Sequence, residues 1–158
     1  MHFPIIELTT KKKTPEQIKN SSIDYDDAFL QSECDYFGEE YTSLERVDLI
    51  QSDEIKKLFE GIAEVDVKEE CVRFYSEEKI RKTLDDYYLD VLKQLNKNKD
   101  SAGWTKFFYL REFGKVFRDN CSLIIANGCS CTTMMFFEDS YHYANKVLYF
   151  GQIYDAHC

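Results

Sequence analysis

The chain has 158 residues, of which 44% are hydrophobic and 31% are charged, and its formal net charge is −9. This size and composition are typical of one globular domain and exclude a disordered chain, while no apolar run reaches the roughly 20 residues of a membrane-spanning helix. Because DNA, RNA and anionic membranes repel an acidic protein, we expect no direct nucleic-acid binding and no membrane association.

The N-terminal residues 2–8, HFPIIEL, predict a strand because they are short, apolar and β-branched. Pro4 has no amide proton, which favours an edge position in the sheet. Residues 9–22 predict a polar surface loop with one helical turn that starts at Pro15. The order of charges at the N-terminus is not that of a secretory signal, so we expect a cytoplasmic protein whose six cysteines stay reduced.

The middle of the chain begins with signals for a short helix. Ser52 and Asp53 are typical N-cap residues for a helix over residues 54–60, and Gly61 is placed to end it. Residues 69–76 alternate weakly between polar and apolar side chains, which predicts a strand.

The clearest helical pattern covers residues 77–95. Ser76 is a suitable N-cap, and Glu77 and Glu78 lie in the first turn, where the helix dipole favours negative charge. One predicted buried face follows the helical period; it consists of Ile80, Leu84, Tyr87, Tyr88, Val91, Leu92 and Leu95.

The C-terminal third contains more aromatic residues and favours strands. Residues 104–117 suit a strand or bent hairpin, although their apolar spacing also suits a helix. Residues 121–126 predict a buried strand. Asn127 and Gly128 form the strongest short hairpin signal, because a tight I′ turn needs a positive φ at two successive residues. The return strand is expected over residues 129–137.

The last predicted strand covers residues 147–154, after a loop at 138–146 and before a tail at 155–158. These elements predict an α+β fold in a single domain, residues 1–158, with one long amphipathic helix packed on a mainly antiparallel C-terminal sheet.

Residues 22–41, which we call the acidic segment, carry seven carboxylates, no Lys or Arg, and five aromatic rings. Spaced carboxylates can occupy the Lys and Arg sites that a nucleic-acid-binding protein uses for phosphates, and aromatic rings supply anchoring contacts. The usual alternative for such a run is a solvated loop whose rings pack inward. The candidate partner-binding residues are Asp24, Tyr25, Asp26, Asp27, Glu33, Asp35, Tyr36, Glu39, Glu40 and Tyr41.

The composition therefore favours a non-enzymatic binding or inhibitor protein that occupies a basic site, such as a nucleic-acid-binding site, on a partner protein. Inhibitors that mimic nucleic acid, such as phage anti-defence proteins, and immunity proteins that neutralise toxic nucleases share this size, charge and aromatic content. The analogy is one of composition alone.

Two other functions remain open at the level of sequence. Asp24, Asp26 and Asp27 are spaced closely enough to hold a divalent metal ion for a hydrolase or phosphotransferase, which needs converging carboxylates. A structural subunit that uses its aromatic C-terminal sheet as an interface is the third possibility. No glycine-rich phosphate loop and no recognised nucleophile motif occurs, so we expect no catalytic residue and no cofactor.

The cysteines present one more candidate. Cys129 and Cys131 share a face of a predicted strand, and His157 and Cys158 lie at the terminus, so a tetrahedral zinc site would form if the last strand ended beside them, with His142 in reserve. The spacing matches none of the common zinc patterns, and buried thiols are the simpler interpretation.

Overall fold

A computed structural model describes residues 2–24, 26–34, 36–97 and 123–157. The hypothetical element at 104–117 lies outside the described residues. The strands are β1 His2–Thr9, β2 Tyr36–Glu40, β3 Ala63–Asp66, β4 Cys71–Phe74, β5 Leu123–Ala126, β6 Cys129–Thr132 and β7 Val147–His157. The helices are α1 Pro15–Lys19, α2 Ala28–Glu33, α3 Ser43–Gln51, α4 Asp53–Leu58, α5 Glu77–Lys97 and α6 Thr133–Glu138, with a 3-10 helix at Ser140–Tyr143.

The strands form one mixed sheet in the order β3-β4-β7-β1-β5-β6. β7 is the longest strand and pairs antiparallel with β1 along most of its length. On its other side it pairs first with β4 and then, after a break, with β2. β1 and β5 run parallel, while the other described pairings are antiparallel. The α+β fold predicted from sequence is confirmed.

Each face of the sheet covers its own hydrophobic cluster, because side chains alternate along a strand. Ile6 and Leu8 point to the larger cluster, to which α3, α4, α5 and α6 all contribute apolar side chains. Phe3 and Ile5 point to the opposite face, where Leu30 of α2 is buried. Helices therefore lie on both faces of the sheet. On the face of the smaller cluster, α2 positions the start of the acidic segment.

Short-range signals located several elements correctly. Ser52 caps α4 by accepting the N–H of Ile55 at 3.2 Å, and Gly61 ends this region with a φ of +80°. A side chain at Gly61 would collide with Thr83. The turn between β5 and β6 has a positive φ at both central residues, Asn127 and Gly128, as the I′ hairpin requires.

The predicted edge position of β1 is wrong, because this strand lies between β7 and β5. Its pairing with β5 begins at Ile5, one residue after Pro4. Pro4 therefore lies in the part of the strand that pairs only with β7 among the described strands. A central strand tolerates the missing amide proton at this position.

Two predicted boundaries in the C-terminal region are also wrong. The return strand ends at Thr132, because the Thr132 side chain accepts the N–H of Met135 at 3.2 Å and begins α6. The residues predicted to form a tail instead continue β7 to His157. The backbone of His157 pairs with His2 of β1 and with Tyr36 of β2.

Helix α5 confirms the predicted span and extends it to Lys97. Ile80 and Leu84 are buried, as the helical pattern predicts. Further along the same predicted face, Tyr88 is 43% exposed and Leu92 is 54% exposed. Among the described side chains of this face, Ile80 and Leu84 are therefore buried, Tyr87 and Val91 are half-buried, and Tyr88 and Leu92 are exposed. None of the described helices combines the length and apolar character that crossing a membrane requires.

Candidate functional site: the acidic segment

The acidic segment begins as a turn, continues as α2 and ends as β2. In the turn, the Asp24 carboxylate accepts the backbone N–H of Asp26 at 3.0 Å. Asp24, Asp26 and Glu33 are all exposed. The turn and the helix therefore present three carboxylates to solvent.

Asp27 differs from its neighbours because its carboxylate is engaged within the fold. It caps α2 by accepting the N–H groups of Phe29 at 2.8 Å and Leu30 at 3.1 Å. Its other oxygen accepts the hydroxyl of Ser130, from β6, at 2.5 Å. This hydroxyl is the largest cause that lowers the pKa of Asp27, and it outweighs the opposing effect of burial. Asp27 thus joins α2 to the edge of the sheet.

Tyr41, at the end of the segment, packs partly buried against the larger core. Its hydroxyl lies 3.4 Å from a carboxylate oxygen of Asp155, and burial raises its pKa, so the phenol stays protonated. The backbones of Tyr36, Glu39 and Glu40 lie in β2, whose side chains are not described. Tyr25 and Asp35 lie outside the described residues.

The three exposed carboxylates have no cationic partner in the part of the chain that the structure describes. Neither Asp24, Asp26 nor Glu33 lies within 4.0 Å of a described Lys or Arg nitrogen. Six carboxylates elsewhere in the described residues have such a partner. These ion pairs are Glu7 with Lys13, Glu70 with Arg46, Glu69 with Lys12, Asp53 with Lys56, Asp66 with Arg73, and Glu77 with Arg81.

The first of these ion pairs stabilises a bulge in β7. Gly151 and Gln152 together lie opposite the single residue Glu7 of β1. The Glu7 carboxylate accepts the N–H of Gln152 at 3.0 Å and the Lys13 ammonium at 2.7 Å. It also lies against the α-carbon of Gly151, where any side chain would collide with it. A side chain at this point of the bulge would therefore displace Glu7 from its hydrogen bonds.

Arg46 of α3 fills the break between β4 and β2 along the edge of β7. Its Nε donates to the carbonyl of Gly151 at 2.6 Å, and its Nη2 donates to the carbonyl of Phe150 at 2.7 Å. Its Nη1 donates to the Glu70 carboxylate at 2.7 Å. The guanidinium thus supplies the donors that a neighbouring strand would otherwise supply. We refer to Glu7, Lys13, Arg46, Glu70 and Gly151 as the bulge cluster.

Sequence reasoning missed Arg46 because its carbonyl partners are more than a hundred positions away in the chain. The pattern of Thr42 followed three residues later by Glu45 is a capping box, and it would have located the start of α3. The structure shows both of its reciprocal hydrogen bonds.

The described carboxylates do not form the ligand set that the divalent-metal hypothesis requires. No group of three His, Cys, Asp or Glu side chains among the described residues is arranged to hold a metal ion. Both oxygens of Asp27 already accept hydrogen bonds, and the Asp24 carboxylate is directed at the N–H of Asp26. The arrangement gives the hydrolase hypothesis no support.

The zinc hypothesis fails on topology. β5 and β1 separate β6 from β7, so Cys131 lies about 14 Å from β7 across three strand spacings. His157 is also displaced along the strand, four residues beyond Ile153, which is level with Cys131 in the register. Burial raises the pKa of Cys131 to about 11, as expected for a packed thiol. Cys158 lies outside the described residues.

Comparison of the chain with models of protein families, with curated proteins and with solved structures gives no match.

Proposed function

We propose that the protein is a non-enzymatic, cytoplasmic binding protein that uses the acidic segment to occupy a basic site on a partner protein. The observation that carries this proposal is the set of exposed carboxylates of Asp24, Asp26 and Glu33, which no described cation neutralises. A partner with Lys or Arg residues at matching positions gains attraction without first breaking an ion pair of this protein.

The local fold supports this proposal in two further ways. Asp27 ties the start of α2 to Ser130, so the backbone that carries Asp26 and Glu33 is anchored to the sheet before binding. The half-buried ring of Phe29 packs against the smaller core and provides apolar area beside these charges. The four described cysteines are thiols rather than disulfides, which agrees with a reducing compartment.

The partner that we favour is a basic, nucleic-acid-binding protein. The protein described by this structure would act as the inhibitor of that partner. A surface of carboxylates competes with phosphates for the same Lys and Arg side chains. Such binding should be fast at low salt and should weaken steeply as salt rises, because exposed charges are screened beyond about 10 Å at 0.1 M.

The test compares two variants with the same change in net charge. In the first, Asp24, Asp26 and Glu33 are replaced by Lys. In the second, three exposed carboxylates of α5, Asp85, Asp86 and Asp90, are replaced by Lys instead. Each tagged protein is recovered from its own cells at low salt after nuclease treatment, and bound proteins are identified by native mass spectrometry before and after a high-salt wash.

We expect a basic protein that is retained by the wild type and by the α5 variant, is lost from the acidic-segment variant, and is released by salt. Equal loss from both variants would show that net charge alone is responsible and would overturn the assignment of the site. Full retention by the acidic-segment variant would overturn the proposed function.

A further inference from the structure

A cleft of about 510 Å³ lies beside the bulge in β7, where the edge of that strand is covered by Arg46 rather than by a strand. One side is formed by α1, with Ile18 and Lys19, and another by the start of α3, with Tyr41 and Val47. Glu70 and Gln152 complete the lining. This volume is within the range of roughly 300–1,000 Å³ that is usual for small-molecule sites.

The polar groups of the cleft are mainly hydrogen-bond donors. Arg46 is 4% exposed and uses three N–H groups on Gly151, Phe150 and Glu70. A guanidinium has five N–H groups, so two are not taken by any described residue. The Lys19 ammonium has no carboxylate partner among the described residues. The Tyr41 hydroxyl donates to the Asp155 carboxylate at 3.4 Å, so Lys19 and Arg46 supply the donors of the cleft.

Two of the three charged residues that line the cleft are cationic. These residues are Lys19, Arg46 and Glu70, whereas the Glu45 and Asp155 carboxylates bond to the lining residues Thr42 and Tyr41. The N-terminus of α3 is capped by Thr42, whose backbone N–H donates to the Glu45 carboxylate, so the side chains and not the helix dipole provide the attraction. Ile18 and Val47 supply an apolar wall next to these donors.

We infer that this cleft binds a small organic anion, with its carboxylate or phosphate group on Lys19 and Arg46 and its apolar part against Ile18 and Val47. A buried donor that lacks an acceptor is costly, and an anionic acceptor removes that cost. The bulge contributes by directing two successive carbonyls at Arg46, which fixes the guanidinium in place. The inference is independent of the proposed function, because the acidic segment contributes only Tyr41.

The test is a titration of the full-length, ¹⁵N-labelled protein followed by amide chemical shifts. Benzoate and phenyl phosphate are the anionic probes, and benzamide is the uncharged probe of similar shape. We expect saturable shifts at the amides of Thr42 and Gln152, with a dissociation constant for the better anion on the order of 1 mM. Comparison of the two anions identifies the preferred charged group.

The decisive variant is Lys19→Glu, which is exposed and should leave the fold intact. Its matched control is Lys82→Glu, an equal charge change at an exposed position of α5. We expect Lys19→Glu to weaken binding of the anion about fivefold to tenfold and Lys82→Glu to change it less than twofold. Equal affinity for benzamide, equal effects of the two variants, shifts located elsewhere, or no saturable shift would each overturn the inference.

Discussion

The acidic segment and the bulge cluster use carboxylates in opposite ways. In the bulge cluster, the side chains of Glu7 and Glu70 are 18% and 31% exposed, and each accepts from a cation at 2.7 Å. In the acidic segment, Asp24, Asp26 and Glu33 are exposed and have no described cation nearby. The first group belongs to the structure of the sheet, whereas the second makes no described ion pair and contributes one local hydrogen bond, from the Asp26 N–H to Asp24.

This difference separates stability from function. A carboxylate that accepts from buried donors cannot leave them without exposing unpaired groups in the interior, so it is not available to another protein. An exposed carboxylate of the same charge costs little to redirect. Asp27 combines both situations. It lies in the acidic segment, but its carboxylate is hydrogen-bonded within the fold.

The largest expected effect is the removal of Arg46. Arg46→Met keeps the bulk of the stem but leaves the carbonyls of Phe150 and Gly151 and the Glu70 carboxylate without their donors. We expect a loss of about 3–5 kcal/mol in the free energy of unfolding, measured by urea denaturation. Arg46→Lys keeps the charge but reaches fewer acceptors, so it should restore only part of this loss. A loss below about 1 kcal/mol for Arg46→Met would show that the guanidinium does not stabilise the bulge.

A smaller effect is expected when the bulge itself is crowded. Gly151→Ala places a methyl group against the Glu7 carboxylate, and we expect a loss of about 1–3 kcal/mol in the free energy of unfolding. In a Glu7→Ala background the collision is absent, so the second substitution should cost less there than in the wild type. Strictly additive effects in this double-mutant cycle would contradict the contact between the two residues.

The sequence predicted those parts of the fold that are set by local chemistry. Ser52 and Gly61 bound their helix, and Asn127 with Gly128 form their turn, because a cap or a positive φ depends on a few neighbouring residues. The α5 pattern was sufficient for the helix but not for its burial. Whether Tyr88 and Leu92 are buried depends on distant parts of the chain, which a helical period does not specify.

The errors have the same physical origin. The position of β1 inside the sheet depends on pairing with β5, which lies more than a hundred residues away. The continuation of β7 to His157 depends on β1 and β2 as partners on both sides. Within the candidate site, the sequence located the cluster of charge but did not distinguish Asp27 from Asp26. Only the position of Ser130 across the fold makes that distinction.

That distinction leads to a third prediction. Asp27→Ala removes the cap of α2 and the bond from Ser130, and we expect it to lower the free energy of unfolding by about 1–2 kcal/mol at neutral pH. Asp26→Ala, one residue away and exposed, should change it by less than about 0.5 kcal/mol. Equal effects at the two positions would show that Asp27 has no special structural role.

The pH dependence of the two variants, Asp27→Ala and Asp26→Ala, provides a second test of the structural role of Asp27. The pKa of Asp27 in the folded protein lies below its ordinary value of 3.8. The charged form is therefore favoured by folding, and its contribution to stability is complete above pH 3.8 and is lost as the pH falls through the lowered pKa. The difference in the free energy of unfolding between the wild type and Asp27→Ala should decrease in acid. The difference between the wild type and Asp26→Ala should stay small at every pH.

The substitutions with the largest proposed effect on binding should have the smallest effect on the stability of the fold. Replacing Asp24, Asp26 and Glu33 by Lys changes the net charge from −9 to −3, because each reversal adds two units. No described ion pair is broken, and the one bond lost is the exposed hydrogen bond from the Asp26 N–H to Asp24, so the free energy of unfolding should change by no more than about 1 kcal/mol. At low salt it should rise slightly, since the folded chain then repels itself less. A loss above about 1 kcal/mol would mean that these carboxylates stabilise the fold. The contrast between the acidic segment and the bulge cluster would then no longer separate binding from stability.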